Sequence, residues 1–390
     1  MKKFNVIPAF AIALTFLFCN NTSKNALPVS VEEDGSFPAI TEASADLPLD
    51  KIKLPEGFSI KVFAEVANAR SLAISPDGTV FVGSLNANSV YAVKDTDGDK
   101  VADKKWLITS SLKSPNGVAF KDGNLYVAEV SRINRFSGIE KKLDNPGQGE
   151  VIYDKLPTET HHGWKYIAFG PDGKLYIPIG APCNICEPAA AYATINRMNA
   201  DGTGFEKFAS GVRNTVGFAW HPQTKELWFT DNGRDMLGDD IPPCELNNAP
   251  KAGMNFGYPY CHGGTIQDPD FGSKHACSEF TAPAQNLGPH VAPLGLKFYT
   301  GNSFPAAYKN QIFIPEHGSW NRSKKNGYRI SLVKLENGKS KGYEVFASGW
   351  LDDATQNAWG RPVDMLVMQD GSMLVSDDQA GVIYRIAYKE

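Results

Sequence analysis

The stretch Lys165–Gly180, KYIAFGPDGKLYIPIG, decides how this chain folds. Two short apolar runs flank Gly-Pro-Asp-Gly. Asp caps its own backbone in a turn and Gly supplies the positive φ a tight hairpin needs, so the stretch reads strand, turn, strand. The pattern recurs as SLAISPDGTVFVGS from Ser71, NGVAFKDGNLYVAE from Asn116, VGFAWHPQTKELWFTD from Val216, LGLKFYTGNSFPAAYKNQIFIPE from Leu294 with a longer turn, and VDMLVMQDGSMLVSD from Val363. Several units are trailed by a further short run such as NSVYAV, SRINRF, YRISLV or GVIYRIAY. Six units, the early ones spaced by roughly 45 to 50 residues, predict an all-β fold: a six-bladed β-propeller of four-stranded antiparallel blades. On this reading the Asp-Gly turns are structural, not active-site acids.

Composition agrees. With 390 residues, 42% hydrophobic and 21% charged, the chain can bury a large core, which excludes a disordered or fibrous protein. The 36 Gly and 25 Pro punctuate short β-type runs, and after the N-terminus no long segment has the helical period. A net charge of -4, without a Lys/Arg stripe, excludes a general nucleic-acid binder.

The start, MKKFNVIPAFAIALTFLFCNN, has two lysines and an apolar run from about Phe4 to Phe18, too short to remain as a spanning helix and typical of an export signal. Cys19 closes that run and resembles a bacterial lipoprotein processing site. The expected organisation is a signal peptide over 1–19, a polar, Pro-spaced flexible tether over 20–50, and the propeller over 51–390. Localisation is expected to be periplasmic or as an outer-membrane lipoprotein, with membrane contact only through a lipid at Cys19.

Four sets of residues could do chemistry. The adjacent imidazoles of His161 and His162, in TETHHGWKYIAF, stand just ahead of a strand. Cys183 and Cys186 form a CxxC without the following His that haem attachment needs, and no second pair is spaced for zinc; in an exported protein disulfides are expected, with Cys183–Cys186 and Cys261–Cys277 as the pairing and Cys244 left over. Asp95, Asp97, Asp99 and Asp103 alternate around Gly98 as calcium ligands do, against the alternative of a solvated acidic hairpin. Arg213-Asn214, Arg322 and Arg361 sit at repeat edges; guanidinium groups gathered on one face would grip a ligand bearing several carboxylates. After the fourth repeat about sixty residues, Gly233 to Pro293, read as one long insertion, where sites are often built.

Taken in order, HHGWKYIAFGPDGKLYIPIGAPCN, GVRNTVGFAWHPQTKELWFTDNGRD, CELN, GMNFGYPYCHGG, GPHVAPLGLKFYTG, EHGSWNRS and WGRPVDMLVMQDGSMLVSDD resemble the glucose/sorbosone dehydrogenase family, soluble quinoprotein sugar dehydrogenases that use pyrroloquinoline quinone (PQQ). The resemblance runs from about Leu54 to Tyr388. It implies a six-bladed propeller with PQQ on one face, a catalytic base at His162, and quinone contacts from Arg213 and Asn214. It further implies active-site Ca2+ held by backbone carbonyls of Gly233 and Arg234, a second, structural Ca2+ at Glu245 and the carbonyl of Phe256, and cofactor carboxylates met by Arg322 and Arg361. Arg234 stands where proline is common, and Cys244 replaces the usual Asp before Glu245.

The implied reaction is oxidation at the anomeric carbon of an aldose or related sugar aldehyde. It needs a base for the hydroxyl proton, for which a neutral imidazole of pKa near ~6.5 is suited, and an electrophile for the hydride. The substrate would be a small sugar; the electron acceptor is not encoded in any motif. The alternatives are a calcium-dependent lactonase-type propeller, which needs a carboxylate cage at the channel centre, and a non-catalytic cell-surface binding propeller.

Overall fold

A computed structural model describes residue 1 and residues 47–389. The export signal, Cys19 and the tether up to residue 46 therefore lie outside the described residues. Among the described residues no helix is long and apolar enough to cross a membrane. Six sheets follow the six repeats: blade 1 over 69–109, blade 2 over 117–153, blade 3 over 168–210, blade 4 over 218–289, blade 5 over 297–347, and blade 6 over 362–388. Each places its first strand innermost and pairs its strands antiparallel in chain order.

Blade 6 supplies only three strands from its own repeat. Its fourth is Phe58–Glu65, paired antiparallel with Val382–Tyr388 from Phe58 opposite Tyr388 to Glu65 opposite Val382. This strand was not among the predicted repeats, and it closes the ring. Blade 3 carries an extra short strand, Met254–Asn255, added in parallel to its outer edge.

The core is divided among the six blade-to-blade contacts because side chains along a strand alternate in direction. Leu72 packs toward blade 6 while its neighbour Ala73 packs toward blade 2. Leu125 and Tyr126 likewise split between blades 1 and 3, and Leu227 and Trp228 between blades 3 and 5. Second strands are accordingly buried on both sides throughout their length, except at Asn124, which opens that of blade 2 half-buried. At the axis the inner strands converge so closely that a Cβ on Gly217 would lie 2.1 Å from the Leu294 carbonyl oxygen.

Antiparallel alternation also sorts the connections. Turns after each first strand emerge on one face, with the Asp-Gly sequences. Links between second and third strands, and those from one blade to the next, emerge on the opposite face. His161 and His162 (154–167), Cys183 and Cys186 (180–193), Arg213 and Asn214 (211–217), Gly233 and Arg234 (232–242), Arg322 (317–328) and Arg361 all belong to this second face. The loop carrying Asp95, Asp97 and Asp99 joins third and fourth strands and lies on the other.

The stretch read as one insertion after the fourth repeat is two loops. Pro243–Ala249, which contains CELN, is the third strand of blade 4, and Gln285–Pro289 is its fourth. The strands themselves, PCELNNA and QNLGP, are polar and Pro-interrupted, so periodicity did not expose them. Both expected disulfides are present, and Cys244 is a free, buried thiol.

Candidate functional site

His162 and Arg213 are joined through one residue. The Nδ1 of His162 lies 2.9 Å from the Ala181 carbonyl oxygen, and the Ala181 N–H donates to the Arg213 carbonyl at 2.8 Å. Because a carbonyl can only accept, the imidazole proton sits on Nδ1 and the lone pair on Nε2. Burial, then the nearby Arg213 charge, holds the His162 pKa well below the ordinary value, so the ring is neutral at pH 7. His161 is more exposed, its ring 4.1 Å from that of His162, and its pKa is lowered by the same two causes. Gly180 makes room for this arrangement: a Cβ there would stand 2.6 Å from Cβ of His162.

Arg213 is buried and heavily bonded. Its Nε donates to the Asn184 carbonyl at 2.8 Å, Nη2 to Asn184 Oδ1 at 2.8 Å and Asp235 Oδ2 at 3.3 Å, and Nη1 to the Asn232 carbonyl at 3.2 Å. Its backbone N–H and that of Asn214 both donate to the Asp231 carboxylate, at 2.8 and 2.6 Å. Asp231 faces Glu245 across the strand pair, and both are buried. Burial, followed by repulsion from Glu245, raises Asp231 to about 7; burial also raises Glu245. A small enclosed space is lined by Asp231, Gly233, Glu245, Phe256 and His262.

Arg234 does not point its side chain toward Arg213. Its guanidinium is buried against Asp268, itself bonded to His262, and lies 3.2 Å from Asp270. Arg322 ties two loops together, with Nε on the Asp239 carbonyl at 3.1 Å and Nη2 on Asp240 at 3.0 Å. Arg361 lies nearer the axis, donating to the carbonyls of His317 at 3.0 Å and Gly318 at 2.9 Å.

Beside Arg361 stands a group that sequence reasoning missed. Arg70 pairs with Asp378 at 2.6 Å, and His317 Nε2 meets the other Asp378 oxygen at 2.8 Å. Arg70 also donates to Asn116 Oδ1 at 2.6 Å, and Asn116 in turn donates to the Lys165 carbonyl at 2.8 Å. Lys165 is buried with its Nζ on the Gly163 carbonyl, and burial brings its ammonium down to about 7. Aligning the repeats on their turns puts Arg70, Asn116 and Lys165 at one register, with Val216, Leu294 and Val363 completing the ring. That register was the available signal.

The acidic hairpin is narrower than expected. Ligand oxygens of Asp95, Asp97 and Asp99 lie within 4.8 Å of one another, but Asp103 is taken up by Thr96, whose N–H and Oγ1 both donate to it at 2.6 Å.

This donor set fits a polycarboxylate quinone and hard cations. Guanidinium groups stand on one face, the buried acids and carbonyls are oxygen donors, and Trp164 Nε1 and Thr215 Oγ1 are buried polar atoms without a protein partner.

Comparison with known proteins gives three findings. The family model described as TrAA12-like matches residues 52–389. A Borreliella burgdorferi protein described as uncharacterized is 33% identical over 367 residues, 90% of this chain and 94% of its own. Among solved structures, the calcium structure of Trichoderma reesei carbohydrate-active enzyme family AA12 superposes with TM-score 0.75 at 18% identity, and the holo PQQ domain of Coprinopsis cinerea pyranose dehydrogenase with 0.73 at 16%. Each covers 86% of this chain and 97% of its own.

Proposed function

This chain belongs to the TrAA12-like family, and from that premise we propose that it is a PQQ-dependent oxidoreductase acting on the anomeric carbon of an aldose or related sugar, with Ca2+ as second cofactor. The observation that carries this reading is the Ala181 bridge, which holds a neutral imidazole and a buried guanidinium on one face of the ring. The relatives with solved structures support it, one being a PQQ-containing pyranose dehydrogenase domain and another a calcium-bound AA12 enzyme.

When bound, PQQ supplies the electrophilic quinone that takes up hydride, and calcium supplies Lewis-acid polarisation. His162 Nε2 accepts the anomeric hydroxyl proton, and Ala181 keeps that nitrogen unprotonated beforehand. Arg213 stabilises negative charge developing beside it and, with Asn214, orients the acceptor ring. Arg361 would meet cofactor carboxylates on this face, with Arg322 on a separate loop, while Arg70 is neutralised by Asp378. The carbonyls of Gly233 and Arg234 would hold the active-site cation. Glu245 and the Phe256 carbonyl would hold a structural one, for which the buried acids Asp231 and Glu245 are a suitable donor set. Asp95, Asp97 and Asp99 would take a further structural calcium on the opposite face.

Export, with a lipid at Cys19, completes the proposal; it rests on the N-terminal sequence alone. The test is reconstitution of the purified protein with PQQ and Ca2+ followed by dye reduction with a panel of sugars. Dye reduction that requires both additions is the expected result. Hydrolysis of lactones without dye reduction assigns the lactonase alternative, and neither activity leaves a binding propeller.

A further inference from the structure

The CxxC segment has no role in the reaction as derived above, yet it lies against its central cation. Asn184, inside the four-residue ring closed by Cys183–Cys186, presents both of its oxygens to Arg213: the carbonyl to Nε and Oδ1 to Nη2, each at 2.8 Å. The same Oδ1 accepts the Asp235 N–H at 2.8 Å, and Asn184 Nδ2 donates to the Asp235 carbonyl at 3.1 Å. One side chain thus fixes both the blade 3–4 connection and the 232–242 loop. The ring is itself anchored. Cys183 Sγ lies 3.4 Å from the Tyr258 hydroxyl, which also accepts the Cys186 N–H at 3.2 Å. Tyr258 is buried, and its own N–H donates to the carbonyl of Gly211, two residues before Arg213.

An arginine side chain has large rotamer freedom, so a guanidinium that must face one ligand atom needs its other hydrogens occupied. Asn184, Asp235 and Asn232 together occupy Nε, both Nη2 hydrogens and one of the two on Nη1. One Nη1 hydrogen remains for a ligand. Closing so short a ring by a disulfide removes alternative loop conformations that would turn the Asn184 oxygens away.

We infer that the Cys183–Cys186 ring is the positioning element for Arg213 and acts through Asn184. The inference rests on the proposed assignment of Arg213 to the quinone site. Asn184 does not touch the reacting atoms; it aims the group that does.

The experiment compares Asn184→Ala and Asn184→Asp in the full chain with two readouts. The first is the set of Arg213 guanidinium N–H resonances, Nη2 included, in the protein without cofactor, assigned by their loss in Arg213→Lys. The second is kcat and KM for sugar after loading with PQQ and Ca2+. Asn184→Ala is expected to shift or broaden these resonances and lower kcat by about 10- to 100-fold with KM little changed. Asn184→Asp keeps an oxygen toward the guanidinium but loses the Nδ2 donor to the Asp235 carbonyl, so it is expected to recover the resonances only in part. An unshifted set of resonances with wild-type kcat in Asn184→Ala overturns the inference. If Asn184→Ala does not fold, the Cys183→Ser/Cys186→Ser double variant takes its place, and an unchanged Arg213 resonance there overturns the inference equally. A wild-type protein without dye reduction, whose Arg213 resonance still responds to Asn184→Ala, overturns the redox reading and leaves the positioning intact.

Discussion

His162 adopts φ of +49°, a left-handed conformation uncommon outside Gly, though His, Asn and Asp take it more readily than other side chains. Such strain persists only where surroundings impose it, and here the Ala181 carbonyl, the Gly180 gap and the Arg213 loop do so. His162→Ala is expected to lower turnover by about 10²- to 10⁴-fold while PQQ still binds, as followed by cofactor absorbance; wild-type turnover would return the base assignment to His161. A second prediction concerns His317. Burial, then the Arg361 charge, holds its pKa down to about 4. Between about 6.5 and about 4 the unfolded chain therefore binds a proton that the native state does not, so stability falls as pH drops through that window. Because Asp231, raised to about 7, acts with the opposite sign in the same window, the contribution is read as the difference in thermal unfolding between wild type and His317→Asn, which should grow as pH falls from about 6.5 to about 4. Asp378, held low by His317 and Arg70 against the opposing effect of burial, contributes its own loss at more acid pH. His162 and Arg213 were legible because each lies in a motif beside a recognisable strand. Arg70 and Asp378 were not, because 308 residues separate two partners that only ring closure brings together.

At the scale of single strands, the outer strand of blade 6 was the element least visible beforehand. Phe58–Glu65 has no turn of the repeated type, and its partner is at the far end of the chain. Its contribution is concentrated at Phe58, whose ring meets Phe304, Tyr308, Phe346 and Tyr388 at centroid distances of 4.7 to 5.4 Å. Phe58→Ala is expected to cost about 3 kcal/mol in denaturant unfolding. A chain begun at Ala67, which lacks this strand, should lose the cooperative transition. The long loop of blade 4 was mistaken for an insertion for the opposite reason: its strands are present but carry Pro, Asn and Gly in place of an apolar alternation. There the Cys261–Cys277 link, spanning 16 residues, should contribute about 3 kcal/mol, measured by comparing the Cys261→Ser/Cys277→Ser variant with wild type.

Across the whole molecule, six repeats were enough to fix the number of blades, the buried second strands and the face on which the connections gather. They could not fix which side chains point inward from those connections, since irregular backbone has no period to read. Binding to the folded state alone raises its stability by mass action, so PQQ with Ca2+ at 100 times Kd should add about 2.7 kcal/mol. If Glu245 holds a structural ion, Glu245→Gln should abolish the part of the thermal shift produced by Ca2+ in the absence of PQQ, and an undiminished calcium shift would place that ion elsewhere.

The pairing of Phe58 with Tyr388 also sets an order of events. The ribosome makes this edge strand first among the propeller's strands, but its hydrogen-bonding partner is the propeller strand made last. Until that segment arrives, the nascent chain keeps an unpaired β-edge at each end, a state open to intermolecular pairing or to a chaperone. A chain that stops before Val382 cannot form this pairing, and its propeller stays open between blades 6 and 1.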